Sequence, residues 1–332
     1  MAEERYDINQ RRLRANRHIR ELVATVTLSH KDFIQPLFVD ESMTQRTAIT
    51  TLNGIHSETI ESAIHQINED LKNGISKFLL FPVPKEKRET NFDFNFPLKA
   101  VRDIKSAFGD RIWLAADVCL CAFTSHGHCG ILNPDRTSVL NDETVKTLAD
   151  YAGQLAQAGA DCIAPSDLMD GRVKAIRASL NQNGYDQIAI MSYSAKFSSA
   201  YYGPFRDACK SVPGNGNILR DRKTYQLSPF NLKDAMRTAI RDSEEGADII
   251  MIKPALLNAD ILHGLRSSVY VPLAAYHVSG EYQSIELLAQ QNSIEREKGH
   301  VEVWTTLKRA GADVIISYAS RFAKEWIERI EY

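Results

Sequence analysis

The chain has 332 residues, with 40 Lys and Arg against 42 Asp and Glu and a formal charge of −2. Hydrophobic residues make up 44 % and charged residues 25 %. This balance excludes a disordered tail, a collagen-like fibre and a polybasic nucleic-acid binder, so no nucleic-acid partner is expected. The length permits either two domains of roughly 150 residues or one α/β barrel of about 250 residues with an extension.

No apolar run approaches the roughly 18 residues that a membrane-spanning helix needs, so no membrane association is expected. The opening stretch, MAEERYDINQRRLRANRHIRELV, lacks the apolar core of a secretory signal. Arg11-Arg12 has no hydrophobic segment behind it, and Glu3, Glu4 and Asp7 argue against a mitochondrial presequence. The expected compartment is the cytoplasm. Five cysteines, an odd number, do not suggest a disulfide framework in such a chain.

In chain order, residues 1–30 are charged and precede the first apolar run, as an N-terminal arm would. Eight short apolar runs follow, at 34–39, 78–83, 112–118, 161–165, 188–193, 248–253, 272–277 and 313–317. Most are apolar at consecutive positions, the pattern of parallel strands buried on both faces. Between them, 59–73 places Ile60, Ala63, Ile64, Ile67 and Leu71 at helical steps, and 144–158 and 232–245 behave alike. Gly159-Ala160-Asp161, Gly246-Ala247-Asp248 and Gly311-Ala312-Asp313 each end a helix-like segment and open a strand-like one. Eight such units predict a closed (β/α)8 TIM barrel over 31–332. The alternative, an open doubly wound sheet, is weakened by the lack of a G-x-G-x-x-G after an early strand. Residues 197–230 break the repeat as a long connection after the fifth strand, either a lid or a surface insertion. Gly214 to Gly216 suggest mobility there.

Three groups of residues suggest chemistry. In DVCLCAFTSHGHCG, Cys119 and Cys121 lie two apart at a strand end, sulfurs on one side, and Cys129 returns after a loop. Three thiolates suit a zinc ion with one open position. A closed site completed by His126 or His128, a redox dithiol and inert thiols remain alternatives. Lys196 and Lys253 close two apolar strands. Burial and mutual repulsion would favour the neutral amine, which attacks a ketone to form a Schiff base. Either lysine alone might simply extend to solvent. Arg206, Arg222, Lys223 and Gln226 lie in or near the long connection and suit an anionic substrate. Ser166, Asp167, Ser279 and Tyr318 add polar groups at other strand ends.

The stretches DVCLCAFTSHGHCG, APSDLMDGRV, MSYSAKFSSAYYGPFRDA, DRKTYQL, MIKPAL, YHVSGEY and AGADVIISY closely resemble the porphobilinogen synthase (δ-aminolevulinic acid dehydratase) family. The resemblance runs from about Arg12 to Tyr318. It implies condensation of two 5-aminolevulinate molecules to porphobilinogen with loss of two waters, in haem and other tetrapyrrole synthesis. It implies a TIM barrel whose N-terminal arm, residues 1–30, wraps a neighbour in a homo-octamer. Lys253 would form the Schiff base on the propionate side and Lys196 the one on the acetate side. Arg206, Arg222 and Gln226 would sit near one substrate carboxylate, and Ser279 and Tyr318 would hold the other. Cys119, Cys121 and Cys129 place the chain beside the zinc-dependent branch, with Zn2+ as catalytic metal. Two departures are visible. The position of a regulatory Mg2+-binding Glu in many bacterial members corresponds to Thr238, so allosteric magnesium is not expected. The stretch 214–218 also looks longer than in many relatives.

Overall fold

The structure, a computed structural model, describes residues 10–211 and 219–330. The expectations for residues 1–9, for mobility at 214–216 and for an insertion at 214–218 lie outside the described residues.

The strands are β1 (Phe33–Asp40), β2 (Thr47–Ala48), β3 (His56–Glu58), β4 (Lys77–Val83), β5 (Trp113–Val118), β6 (Cys162–Pro165), β7 (Ala189–Lys196), β8 (Ile249–Lys253), β9 (Leu273–His277) and β10 (Val314–Ser317). All eight apolar runs of the sequence form strands. Neighbours β1, β4, β5, β6, β7, β8, β9 and β10 pair in parallel, and β10 returns to β1 through Phe33↔Ile315 and Ile34↔Ile316. That closing pair turns a sheet into the expected barrel, and no edge remains among the eight. The short ribbon of β2 and β3 adds to the end of β1 through Phe38↔Ser57. Two- and three-residue strands are too short to show a sequence period, so the ribbon had no signal.

Helices α1 (Arg17–Leu22), α2 (Ile60–Lys72), α3 (Asn95–Phe108), α4 (Asn141–Gln157), α5 (Arg172–Gln182), α6 (Gly203–Ala208), α7 (Leu232–Glu244), α8 (Ala259–Leu265), α9 (Ser279–Gln290), α10 (Arg296–Ala310) and α11 (Ala323–Arg329) complete the described elements. At the start of α2, Thr59 Oγ1 accepts from the Ser62 amide at 3.1 Å and Ser62 Oγ accepts from the Thr59 amide at 2.9 Å. This reciprocal cap fixes where the helix begins. Among the described residues, no helix is long and apolar enough to cross a membrane.

The Gly-Ala-Asp echo has a common structural job. Each glycine takes a positive φ (104°, 103° and 126°), which frees the chain to turn from helix to strand. Each aspartate then grips the previous strand at both its polar groups. Asp161 donates its amide to Leu114 O at 2.9 Å and accepts the Leu114 amide on Oδ2 at 2.7 Å. Asp248 does the same to Ile190, and Asp313 to Leu273. The amides of Leu114, Ile190 and Leu273, at the start of β5, β7 and β9, are satisfied in this way, and the register of the adjoining strand is set.

One strand boundary differs from expectation in a way that matters. The fifth barrel strand does not stop at 193 but runs to Lys196, with a register shift between Tyr193 and Ala195. The polar Ser194 interrupts the apolar run just past 193, and Ser192 lies within it. Their burial is made possible by partners behind the strand. Ser192 Oγ donates to Asp242 Oδ2 at 2.9 Å and accepts from Arg172 Nη2 at 3.0 Å. Arg172 and Asp242 are themselves a fully buried pair at 3.0 Å, joining α5 to α7. Such a pair holds geometry because removing either partner would strand a charge.

The described part of the long connection carries regular structure. It contains a short helical turn at Ala200–Tyr202 and then α6. Ahead of the barrel, the turn Gln10–Arg14 and helix α1 bury no residue, and Leu13, Leu22 and Val23 are exposed.

Candidate active site

Lys196 and Lys253 end neighbouring strands and are direct register partners. Both side chains are buried. Their ammonium nitrogens lie over the same ring, 5.6 Å and 5.0 Å from the centre of Tyr193. Lys196 Nζ donates to the carbonyl of Ser166 at the end of the β6 turn. Lys253 Nζ sits in an aromatic box, 4.1 Å from the Tyr276 centre, 4.5 Å from Phe205 and 5.4 Å from Tyr202. Ring faces attract a cation. Burial opposes them, and the neighbouring Lys196 adds to its effect, so the Lys253 amine is pushed down to about 7. Asp117, deep in the same mouth, interacts with both lysines. Loss of solvent outweighs their pull and raises its carboxyl to about 7.

Two polar sets flank the lysines. On the Lys253 side, Tyr318 Oη lies 3.3 Å from Tyr276 Oη, the ring nearest to the amine. Ser279 Oγ accepts the Phe205 amide at 3.1 Å and donates to Tyr201 O at 3.2 Å. On the Lys196 side, Leu227 donates its amide to Lys196 O, so Gln226 is stitched beside the end of β7. The buried Gln226 amide has no partner on either atom among the described residues. Arg222 is buried and donates to Gly127 O at 2.8 Å and Ser211 O at 2.6 Å, while its Nε and that of Arg206 have no such partner. Desolvation, and then Arg222, lower Arg206. Lys223 is not part of this site: it is exposed and pairs with Asp221 at 2.9 Å. Asp167 is also turned away, buried 3.7 Å from Arg172.

The three cysteines converge. Their sulfurs lie within 4.8 Å of one another and all three residues are buried. The geometry has a different origin from the one expected, because β5 ends at Val118 and the first two thiols belong to the following turn, where the Cys121 amide donates to Cys119 Sγ at 3.5 Å. No histidine joins the group. His128 Nδ1 lies 3.1 Å from Tyr225 Oη and its Nε2 lies 3.0 Å from Leu219 O, so both ring nitrogens are engaged. His126 Nδ1 accepts the His128 amide at 3.2 Å. The closed site completed by His128 is therefore excluded. Hydrogen bonds from Cys119 and Cys121, with Arg222 and Lys196 behind them, hold the Cys129 thiol well below its ordinary range, whereas burial pushes Cys119 well above it. Burial opposes the charge on Arg222, and the thiolate side of the cluster outweighs it. The donor set, three sulfurs in a dry pocket facing a fixed cation, suits a soft or borderline metal.

A family model for delta-aminolevulinic acid dehydratase matches residues 7–326. The chain belongs to the delta-aminolevulinic acid dehydratase family. It is 41 % identical over 321 residues to the delta-aminolevulinic acid dehydratase of Bacillus subtilis, covering 96 % of this chain and 97 % of that one. It is 43 % identical over 325 residues to that of Helicobacter pylori, covering 96 % and 98 %. Among solved structures it is similar to the Toxoplasma gondii delta-aminolevulinic acid dehydratase (porphobilinogen synthase) in complex with porphobilinogen. The TM-score there is 0.92 at 37 % identity, covering 97 % of this chain and 92 % of that one. The chain is accordingly an enzyme, a lyase of tetrapyrrole synthesis.

For a delta-aminolevulinic acid dehydratase family member, the sequence reading missed the aromatic box of Tyr193, Tyr202, Phe205 and Tyr276, because Tyr193 and Tyr276 lie in apolar strands and read as core, while Tyr202 and Phe205 lie in the long connection with no local sign that they return to Lys253. It also passed over Asp117 as a candidate, although a carboxylate inside the run WLAADV was a visible signal. The state of Lys253 is directly testable. An amine whose pKa is lowered gains its free base as pH rises through that value, so the reactive fraction falls about tenfold per unit below about 7. Reductive labelling of Lys253 with a small aldehyde, followed by mass spectrometry, should reach half its maximum near neutrality. A midpoint near that of a surface lysine would show that the pocket leaves the amine charged.

Proposed function

We propose that this chain joins two 5-aminolevulinate molecules into porphobilinogen through Schiff bases on Lys253 and Lys196. The observation that carries the reading is the pairing of the two buried lysines across neighbouring strands, over one tyrosine ring. Each lysine nitrogen attacks the ketone of one substrate, a C=N bond forms and the carbonyl oxygen leaves as water. The iminium then serves as an electron sink while its neighbour is held within reach, which removes the entropy of bringing two ketones together.

The flanking polar sets support opposite orientations for the two substrates. Ser279 and Tyr318, tied to the walls of the Lys253 box, suit the carboxylate of the substrate on that side. Arg206, Arg222 and Gln226 suit the other, and the unpartnered atoms of Gln226, Arg206 and Arg222 are groups that a carboxylate would satisfy. Cys119, Cys121 and Cys129 would hold zinc, and their convergence supports a zinc-dependent member of the family. When bound, the ion would supply Lewis-acid chemistry to the second substrate. Arg222 balances the charge of the thiolates and orders the cysteine loop through Gly127. No magnesium role is proposed, since Thr238 lies buried on α7 with no carboxylate of its own to offer. The N-terminal residues, which bury nothing against their own barrel from Gln10 to Leu22, suit contact with another copy in a homo-octamer.

Three experiments test this reading. Borohydride added with 5-aminolevulinate should fix one substrate mass on Lys253, and the Lys253→Met variant should fall to the background rate of pyrrole formation. An unlabelled intact protein would refute the covalent mechanism. Removal of metal with a thiol-selective chelator should abolish turnover and zinc should restore it, whereas full turnover by the metal-free protein would remove the metal role. The full chain should sediment as an octamer, and a chain starting at Lys31 as a smaller species. An octamer from the shortened chain would take the arm out of the assembly.

A further inference from the structure

The hydroxyl of Ser317 is saturated in a way that determines the state of a buried histidine. Trp304 Nε1 donates to it at 3.3 Å, and so does the amide of Ala319 at 3.3 Å. An indole N–H and a backbone N–H can only donate, so both lone pairs of the oxygen are taken. The third neighbour is His277 Nδ1, at 3.1 Å. The hydroxyl hydrogen therefore points at that nitrogen, which must be the acceptor. His277 is neutral, with its own hydrogen on Nε2. A protonated ring would aim an N–H at an oxygen with nothing left to give. Complete burial, and the nearby His300, keep the ring well below the ordinary histidine range, in agreement with the geometry.

The position of this pair is what gives it a consequence. Ser317 and His277 form the last rung of the β9–β10 ladder. Beyond it the chains part: Ser279 opens α9, while Tyr318 leads into the turn Ser320–Phe322. No backbone pairing spans these two departing segments. We propose that His277 is a positioning residue for substrate: by accepting the Ser317 hydroxyl it holds the diverging ends of β9 and β10 at one separation, and so sets the spacing of the Ser279 and Tyr318 hydroxyls. The inference rests on the assignment of those two hydroxyls to a substrate carboxylate. Its role would be to keep a two-point grip ready before substrate arrives, at a place where the barrel's own hydrogen bonds end.

The test compares His277→Phe, which keeps a ring but removes the acceptor, with His277→Asn, whose side-chain oxygen can accept at similar reach. For H277F the KM for 5-aminolevulinate should rise about tenfold with kcat within about threefold of the parent, the scale of one buried hydrogen bond lost. H277N should return KM to within about threefold. A residue that only supports the fold would lower the thermal midpoint and the active fraction, hence kcat, without raising KM. Ser317→Ala removes the same tie from the other side and should raise KM alike; it carries the test should H277F not be recovered folded. The variant Ser279→Ala serves as reference. If it raises KM while H277F and S317A do not, or if Asn fails to rescue, the positioning role is wrong. If S279A itself leaves KM unchanged, the carboxylate assignment is what fails.

Discussion

Two lysines buried side by side are electrostatically costly, and the site is organised around that cost. Taken alone, either ammonium would be desolvated without a counter-charge, and together they repel. The barrel resolves the conflict in three ways. It gives Lys196 a carbonyl to donate to, it surrounds Lys253 with ring faces, and it puts the Asp117 carboxyl within range of both. The residual conflict is relieved by proton loss at Lys253, and proton loss is what makes an amine nucleophilic. The cost of burial and the reactivity are thus the same physical effect.

Barrel closure is what allows this arrangement. In an open sheet, the ends of β7 and β8 would face water along one side, and solvent would return Lys253 to the ordinary charged state. Closure surrounds them with strand ends on all sides, so the cysteine turn after β5, the Arg222 segment after β7 and the hydroxyls after β9 and β10 converge on one mouth. The supports lie behind the strands. The Arg172–Asp242 pair lets a polar stretch of β7 stay extended as far as Lys196, and the three Gly-Ala-Asp corners hold the opposite end in register. Active-site placement therefore depends on buried polar groups far from the reacting atoms.

The metal group obeys a related logic. A cluster of three thiols in a dry pocket would favour neutral sulfur, but hydrogen bonds from Cys119 and Cys121, with Arg222 and Lys196 behind them, bias Cys129 toward thiolate. Tyr225 then bonds both the Cys129 amide and His128, drawing the histidine away from the sulfurs. The neighbouring imidazole is committed to closing the loop, and the cluster consists of three sulfurs.

Much of this was written into local sequence. Consecutive apolar positions marked all eight barrel strands, the Gly-Ala-Asp corners marked three of the joins, and Cys119, Cys121, Cys129, Lys196 and Lys253 stood out by residue type and by position at strand ends. These signals are local because strand burial and helix termination act over a few residues. The rest needed the third dimension. That the polar Ser192 can lie buried in β7 depends on partners on α5 and α7. That His128 is not a ligand depends on Tyr225 and Leu219, roughly ninety residues away. That Lys253 is a poor cation depends on its burial among β7, β9 and the Tyr202–Phe205 segment and on the Lys196 beside it. Sequence order records which groups are present, whereas their protonation and partners follow from which distant groups the closed barrel brings to the same few ångströms.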